Sequence, residues 1–285
     1  MNFKLKTLVA AVMLSASAMS ANAAIETNSG NSEFVFSAWD VNTGVGYTYD
    51  LDWNNFLNNL VGADQSANTA GNATLIANAK VSSSLIGAGG VIFDGVLSGL
   101  PFGASTSNVQ WNLAAVDNAG RNRLLTTKDI TDSAAATAGN NAVKNAVTVF
   151  AGYVPNADGF IATANAGSAD TYAVTASTDG PAYAGNAGNN WGGYVFDTTN
   201  TLGAESFLYY LAQSTTLSSN ATSLNTQLLS FSGENIVAKT YLQNGEWRLN
   251  IAAVPEVAPV PEPETYAMLL AGLGLMGFVA RRRSV

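Results

Sequence analysis

The chain has 285 residues, 20 acids against 12 bases, no histidine and no cysteine. Without those two residue types it can build no Ser-His-Asp triad, no cysteine nucleophile, no disulfide and no ordinary zinc site. Residues 24–260 hold 18 of the acids and 7 of the bases (all but Glu262 and Glu264; all but Lys4, Lys6 and Arg281 to Arg283), and a net charge near −11 of this kind repels nucleic-acid phosphate and anionic lipid.

The first 23 residues run basic, then apolar, then small. Lys4 and Lys6 open the chain, Leu8 to Ala18 are apolar or small, and Ala21-Asn22-Ala23 is a small-x-small triplet. That order predicts a secretory signal peptide, cut by signal peptidase after Ala23, with Ala21 and Ala23 in the two small pockets. The apolar run is short of the about 20 residues that a ~30 Å bilayer core requires. No cysteine follows it, so a lipoprotein is not expected.

Residues 24–252 read as a β-rich extracellular body. Glu33 to Trp39 reads as a strand, and Val45, Tyr47, Tyr49 and Leu51 alternate as a second, with a turn at Asp40 to Gly44. Trp53, Phe56, Leu57, Leu60 and Val61 then follow helical spacing behind Asp52 as N-cap, which predicts a short amphipathic helix. Strands are expected at Thr74 to Val81, Val91 to Leu97 and Val109 to Val116. A helix is expected over Thr131 to Phe150, capped by Asp132 or Ser133, with Val143, Ala146, Val147 and Phe150 on one face. Tyr153 to Gly193 reads as turn-rich, with short strands such as Thr171 to Ala176. Ser206 to Ala212 alternates, Leu228 to Phe231 is a candidate partner, and Ile236 to Leu242 and Trp247 to Ile251 flank Asn244-Gly245, the strongest short hairpin signal. The sum predicts a mainly β fold, an antiparallel β-sandwich with one or two short helices.

Residues 253–264 form a proline- and glutamate-rich stalk that ends in Pro261-Glu262-Pro263-Glu264. Residues 265–280 are apolar, and 281–285 form a basic tail with Arg281, Arg282 and Arg283. As a helix at ~1.5 Å per residue, Tyr266 to Ala280 reaches about 22 Å. Three snorkelling arginines and an interfacial tyrosine extend that to a single transmembrane helix, with the arginines on the cytoplasmic side. Proline fixes φ and bars the residue before it from the helical region, so the Pro-Glu-Pro stretch stays extended and outside that helix.

A Pro-Glu-Pro motif, a short apolar helix and a terminal arginine cluster, in that order over Val260 to Arg283, resemble the PEP-CTERM sorting signal. The resemblance implies recognition by exosortase, a membrane-embedded cysteine transpeptidase-like enzyme, with cleavage near Pro261, Glu262 and Pro263. It implies a Gram-negative host that makes exopolysaccharide, transient membrane anchoring through the C-terminal helix, and a final place at the cell surface or outside the cell. The strand around Glu205 to Leu211 is loosely similar to C-terminal strands of other proteins that carry this signal.

Other motifs read as ordinary structure. Gly272-Leu-Gly274-Leu-Met-Gly277 fits a dinucleotide fingerprint, but it lacks the strand before it and the amphipathic helix after it, and close helix packing in a bilayer explains it better. Asp50 and Asp52 could offer oxygens to calcium, yet no EF-hand or RTX loop surrounds them, and Asp52 reads as a helix cap. Trp191, among Asn189, Asn190, Gly192 and Gly193, is either a sugar-stacking platform or a core residue entering a strand at Tyr194 to Phe196; the core reading is preferred. The same tail occurs on ice-binding proteins, but Thr199-Asn200-Thr201 is the one Thr-x-Thr here and makes no rank.

The expectation is an exported, non-catalytic protein of the cell surface or biofilm matrix, with no cofactor, no metal and no nucleic-acid partner. Exosortase, signal peptidase, the membrane and exopolysaccharide are its expected partners. A carbohydrate-binding module or adhesin is the alternative, and a glycan-active hydrolase the second.

Overall fold

The computed structural model describes residues 33–51, 60–61, 80–104, 106–118, 121–131, 138–164, 171–214 and 221–255. Two antiparallel strands come first, β1 (Val35–Asp40) and β2 (Val45–Asp50). The turn between them is set by Asp40, whose Oδ1 accepts from the backbone N–H of Asn42 (2.8 Å) and Thr43 (3.1 Å). Gly44 closes the turn at φ +70°, a left-handed conformation that costs other residues energy. Short strands β3 (Leu60–Val61) and β4 (Lys80–Val81) follow. Strands β5 (Val91–Val96), β6 (Val109–Asp117) and β7 (Arg123–Asp129) lead to the helix α1 (Asn140–Ala164). Beyond it lie β8 (Tyr172–Ala176), β9 (Asn200–Thr201), β10 (Glu205–Ala212), β11 (Leu224–Gln227), β12 (Leu229–Ser230), β13 (Asn235–Gln243) and β14 (Glu246–Val254).

The fold is mainly β, and its strands form one hydrogen-bonded sheet in the order β3-β4-β12-β13-β10-β7-β6-β1-β2-β8. Strand β14 lies between β13 and β5, β11 pairs with β10 and β9 pairs with β6. The sheet is mixed rather than purely antiparallel, because β12 runs parallel to β4 through Leu229↔Lys80 and Ser230↔Val81.

Central strands β1, β6 and β7 are covered on both faces. This explains why Phe34-Val35-Phe36-Ser37-Ala38-Trp39 shows no polar alternation. Val35, Trp39, Ala114, Val116, Leu124 and Leu211 pack with α1 on one face. Phe36, Ala38, Trp111, Leu113, Leu125 and Leu208 pack on the other with Trp247, Leu249 and Ile251 of β14. The sheet therefore curls back over itself. The loop after β5 reaches β2, where the Tyr47 hydroxyl donates to the Ser98 carbonyl at 2.7 Å.

Several elements differ from the sequence reading. Helix α1 starts at Asn140 and continues to Ala164, past the expected end at Phe150 and into the stretch read as turns. Tyr153, Val154, Ala157 and Ile161 keep the three-and-four spacing of Val143, Ala146, Val147 and Phe150, and all are buried against the sheet. Pro155 and Gly159 disguise that period, but both are exposed, and on the solvent side water satisfies a carbonyl that lacks its helical donor. The expected caps Asp132 and Ser133 lie outside the described residues. Leu60 and Val61 are strand β3 rather than the end of a helix, and residues 52–59 of that expected helix lie outside the description. Of the strand expected over 74–81, Lys80–Val81 is described. Tyr194 to Phe196 form turns and bends, not a strand. Among the described residues no helix is long and apolar enough to cross a membrane; residues 265–280 lie outside them.

Candidate functional site

The last hairpin builds the end of the body from which the chain leaves. Strands β13 and β14 pair over their whole length, from Gln243↔Glu246 at the tip to Asn235↔Val254 at the base. Asn244 (φ 55°) and Gly245 (φ 85°) form the two-residue turn with both central residues left-handed. Alternation then places Trp247, Leu249, Ile251 and Ala253 in the core, so β14 is locked in place up to Val254. The Trp247 indole N–H donates to the Gly103 carbonyl at 3.3 Å, which ties the hairpin to the loop after β5. The chain continues through exposed Pro255. Residues Pro261, Glu262, Pro263, Arg281, Arg282 and Arg283 lie outside the described residues, as do Ala21 and Ala23.

Most of the described acids are engaged in the fold. Asp40 caps the β1–β2 turn, and those backbone donors hold its carboxyl below the usual carboxylate range. Asp129 Oδ1 accepts from the Thr131 N–H and hydroxyl, both at 2.7 Å. Asp197 Oδ1 accepts from the Thr199 N–H (3.0 Å) and hydroxyl (2.8 Å), and its Oδ2 accepts from Asn189. Asp179 accepts from the Ala176 N–H. Asp94 on β5 accepts from the Tyr241 hydroxyl (2.9 Å) and the Arg248 Nε–H (3.0 Å), which joins three strands on one face. Glu205 pairs with Lys239 at 2.8 Å. A cleft of about 290 Å³ beside the β1–β2 turn is lined by Asp40, Thr43, Val45, Pro101, Phe102, Gly103 and Val109. It offers one carboxylate, where glycoside hydrolysis needs two facing each other.

Asp50, read as a possible calcium ligand, is buried at the end of β2, where its backbone N–H donates to the Thr171 carbonyl at 2.8 Å. Asp52 lies outside the description, and among the described residues there is no cluster of three or more metal-ligating side chains. Trp191 is a core residue, 1% exposed. Its indole N–H donates to Thr126 Oγ1 at 3.1 Å, and its ring lies 5.5 Å from that of Phe150. Thr199 and Asn200 are buried, so Thr199-Asn200-Thr201 offers no flat threonine rank.

Two buried polar groups went unseen in the sequence. Arg123 and Asp117 pair across the base of the β6–β7 hairpin, both 1% exposed. The only trace in the sequence is opposite charge six residues apart across a polar turn. The Tyr153 hydroxyl, on α1, bonds with Ser37 Oγ (3.1 Å) and Thr48 Oγ1 beneath the helix. Burial pushes its pKa up to about 12, against the smaller downward pull of Ser37 and Thr48.

The functional signal therefore stands on the segment that follows the last strand. No curated protein and no solved structure matches the chain. Residues 259–283 match the family model described as the PEP-CTERM protein-sorting motif, which spans the Pro-Glu-Pro stretch, the apolar run and Arg281 to Arg283. A motif of this kind implies export, an exosortase that acts on it, and transient anchoring before display at the cell surface. Residues 259–283 carry the PEP-CTERM protein-sorting motif, consistent with an exosortase substrate.

Proposed function

We propose that the chain is an exported, non-catalytic protein of the cell surface or matrix. Signal peptidase trims it after Ala23, a transmembrane helix at 265–280 holds it, and exosortase cuts it near Pro261-Glu262-Pro263. The observation that carries this reading is the sorting motif at 259–283. Two further observations support it. The sequence has no histidine and no cysteine. Asp40, Asp94, Asp129, Asp197 and Glu205 are spent on turns and strand pairing.

The curled sheet, whose central strands are covered on both faces, is the sandwich-like body that the tail delivers. Its partner is exopolysaccharide, met as matrix rather than as substrate. A sugar-binding module is the second reading. It rests on Tyr194, 41% exposed in the glycine-rich turn where Trp191 itself is buried.

The test is the mass of the mature protein from cells and medium, with and without the host's exosortase. An N-terminus at Ala24 and an exosortase-dependent C-terminus near Pro261 are the expected result. A full tail that persists in the membrane whether or not the enzyme is present refutes the sorting role and leaves a simple anchor. Retention of the mature body on the host's own polysaccharide then tests the matrix claim separately.

A further inference from the structure

The most exposed large apolar side chain of the described body is Phe231, 64% exposed at the turn between β12 and β13. An aromatic ring left in water at a turn tip contributes nothing to the core, so its surroundings matter. Lys80 Nζ lies 5.8 Å from the ring centroid. The register of the sheet places both at one end. Lys80 pairs with Leu229, Leu229 with Asn235, and Asn235 with Val254, while Ala252 pairs with Val91. Val254 and Val91 are themselves 39% and 37% exposed. Three exposed apolar side chains and a lysine thus share the end of the sheet at which β14 stops.

That end is also where the chain departs for the sorting segment. Eleven residues separate Val254 from Tyr266, an extended reach of about 40 Å at most. With the apolar segment in a bilayer, this end of the body is the one tethered close to it. Charge restricts the approach further. The body as a whole is strongly acidic and is repelled by anionic headgroups. The described residues of this end carry one base, Lys80, and one acid, Glu234, whose carboxylate bonds with Ser230 Oγ at 3.1 Å. An aromatic beside a lysine is the pairing favoured at a lipid–water boundary, with the ring among the acyl ends of the headgroups and the ammonium at phosphate.

We propose that this end is a membrane-docking surface. Phe231, flanked by Val254 and Val91, seats in the phospholipid interface while the tail is anchored, and Lys80 meets lipid phosphate. Docking presents the stalk to a membrane-embedded processing enzyme and is released when the tail is cut. The inference rests on the reading of residues 265–280 as a membrane anchor.

The chain has no cysteine, so Ser232→Cys gives a single thiol beside Phe231, and Gln243→Cys gives one near the opposite end of the hairpin. Both positions are exposed. The full chain, labelled with a polarity-sensitive dye, is placed in vesicles of phosphatidylethanolamine with minor phosphatidylglycerol and quencher-bearing acyl chains. Fluorescence at position 232 is expected to fall roughly two-fold, as for a group ~5–10 Å into the interface. Position 243 stays unquenched, and adding Phe231→Ser abolishes the effect at 232. Equal signals at the two sites, or quenching indifferent to Phe231→Ser, overturn the proposal. Disulfide cross-linking between copies of the unlabelled Ser232→Cys chain, with no lipid quenching of the labelled one, also overturns it and assigns the surface to a second copy. Extraction of the chain by carbonate separates the two readings. If the tail stays inserted while 232 is unquenched, only the docking surface falls; if the chain washes off, the anchor reading falls with it.

Discussion

Tyr153 is where one buried hydroxyl can be followed to a measurable property. Its folded pKa lies near 12, above the ordinary value of 10.0, because burial penalises the phenolate. A raised folded pKa gives stability that is complete below about pH 10 and is lost as pH rises toward 12. Tyr153→Phe should remove its share of that alkaline loss, while Tyr183, Tyr210 and Tyr241, also raised by burial, keep theirs. It should also cost about 1–2 kcal/mol at neutral pH, because Ser37 and Thr48 lose their shared partner. Urea unfolding of both proteins at pH 7 and in alkali checks both halves. Asp117 makes the sharper case. Asp117→Ala leaves the Arg123 guanidinium, 1% exposed, without its carboxylate. A loss of about 3–5 kcal/mol is expected in the same assay. A loss under about 1 kcal/mol would show that water or another group takes over the arginine.

Elements follow the sequence most closely where local chemistry is strong. Asn244-Gly245 makes the turn it encodes, since both residues tolerate positive φ and the tight turn twists with its strands. Gly245→Ala places a Cβ in the left-handed region at φ 85° and should cost about 1–2 kcal/mol, read as a lower thermal midpoint. Asp40 and Gly44 were legible as a turn for the same kind of reason. Helix α1 was half legible. Its register from Val143 to Phe150 was visible, but Pro155 and two glycines hid the second half, which is held by burial of Tyr153, Val154, Ala157 and Ile161. Pro155→Ala restores an N–H to an exposed turn of that helix, and a gain of up to about 3 kcal/mol is expected from thermal unfolding. No gain would mean that the helix bends at Pro155 to fit the sheet.

On the scale of the whole molecule, the hydrogen-bonded body ends at Val254, and the processing motif begins at Pro261. The expected cut therefore leaves every described strand in place. A chain truncated after Pro263 should unfold in a single cooperative transition. A chain truncated after Gly245 lacks β14, exposes the partners of Trp247, Leu249 and Ile251, and should not fold; circular dichroism and denaturant titration separate the two cases.

The sequence by itself determined the sorting motif, because the Pro-Glu-Pro stretch, the apolar run and the arginines are read in linear order and need no body. It also determined the β1–β2 and β13–β14 hairpins, whose turns depend on two to five adjacent residues; the β6–β7 hairpin went unread. The tertiary structure decided what no local pattern holds: the parallel pairing of β12 with β4, the curl that covers both faces of β1 and the pairing of Asp117 with Arg123. These depend on contacts between residues far apart in the chain, and their energy comes from surface removed from water only once the whole sheet has closed.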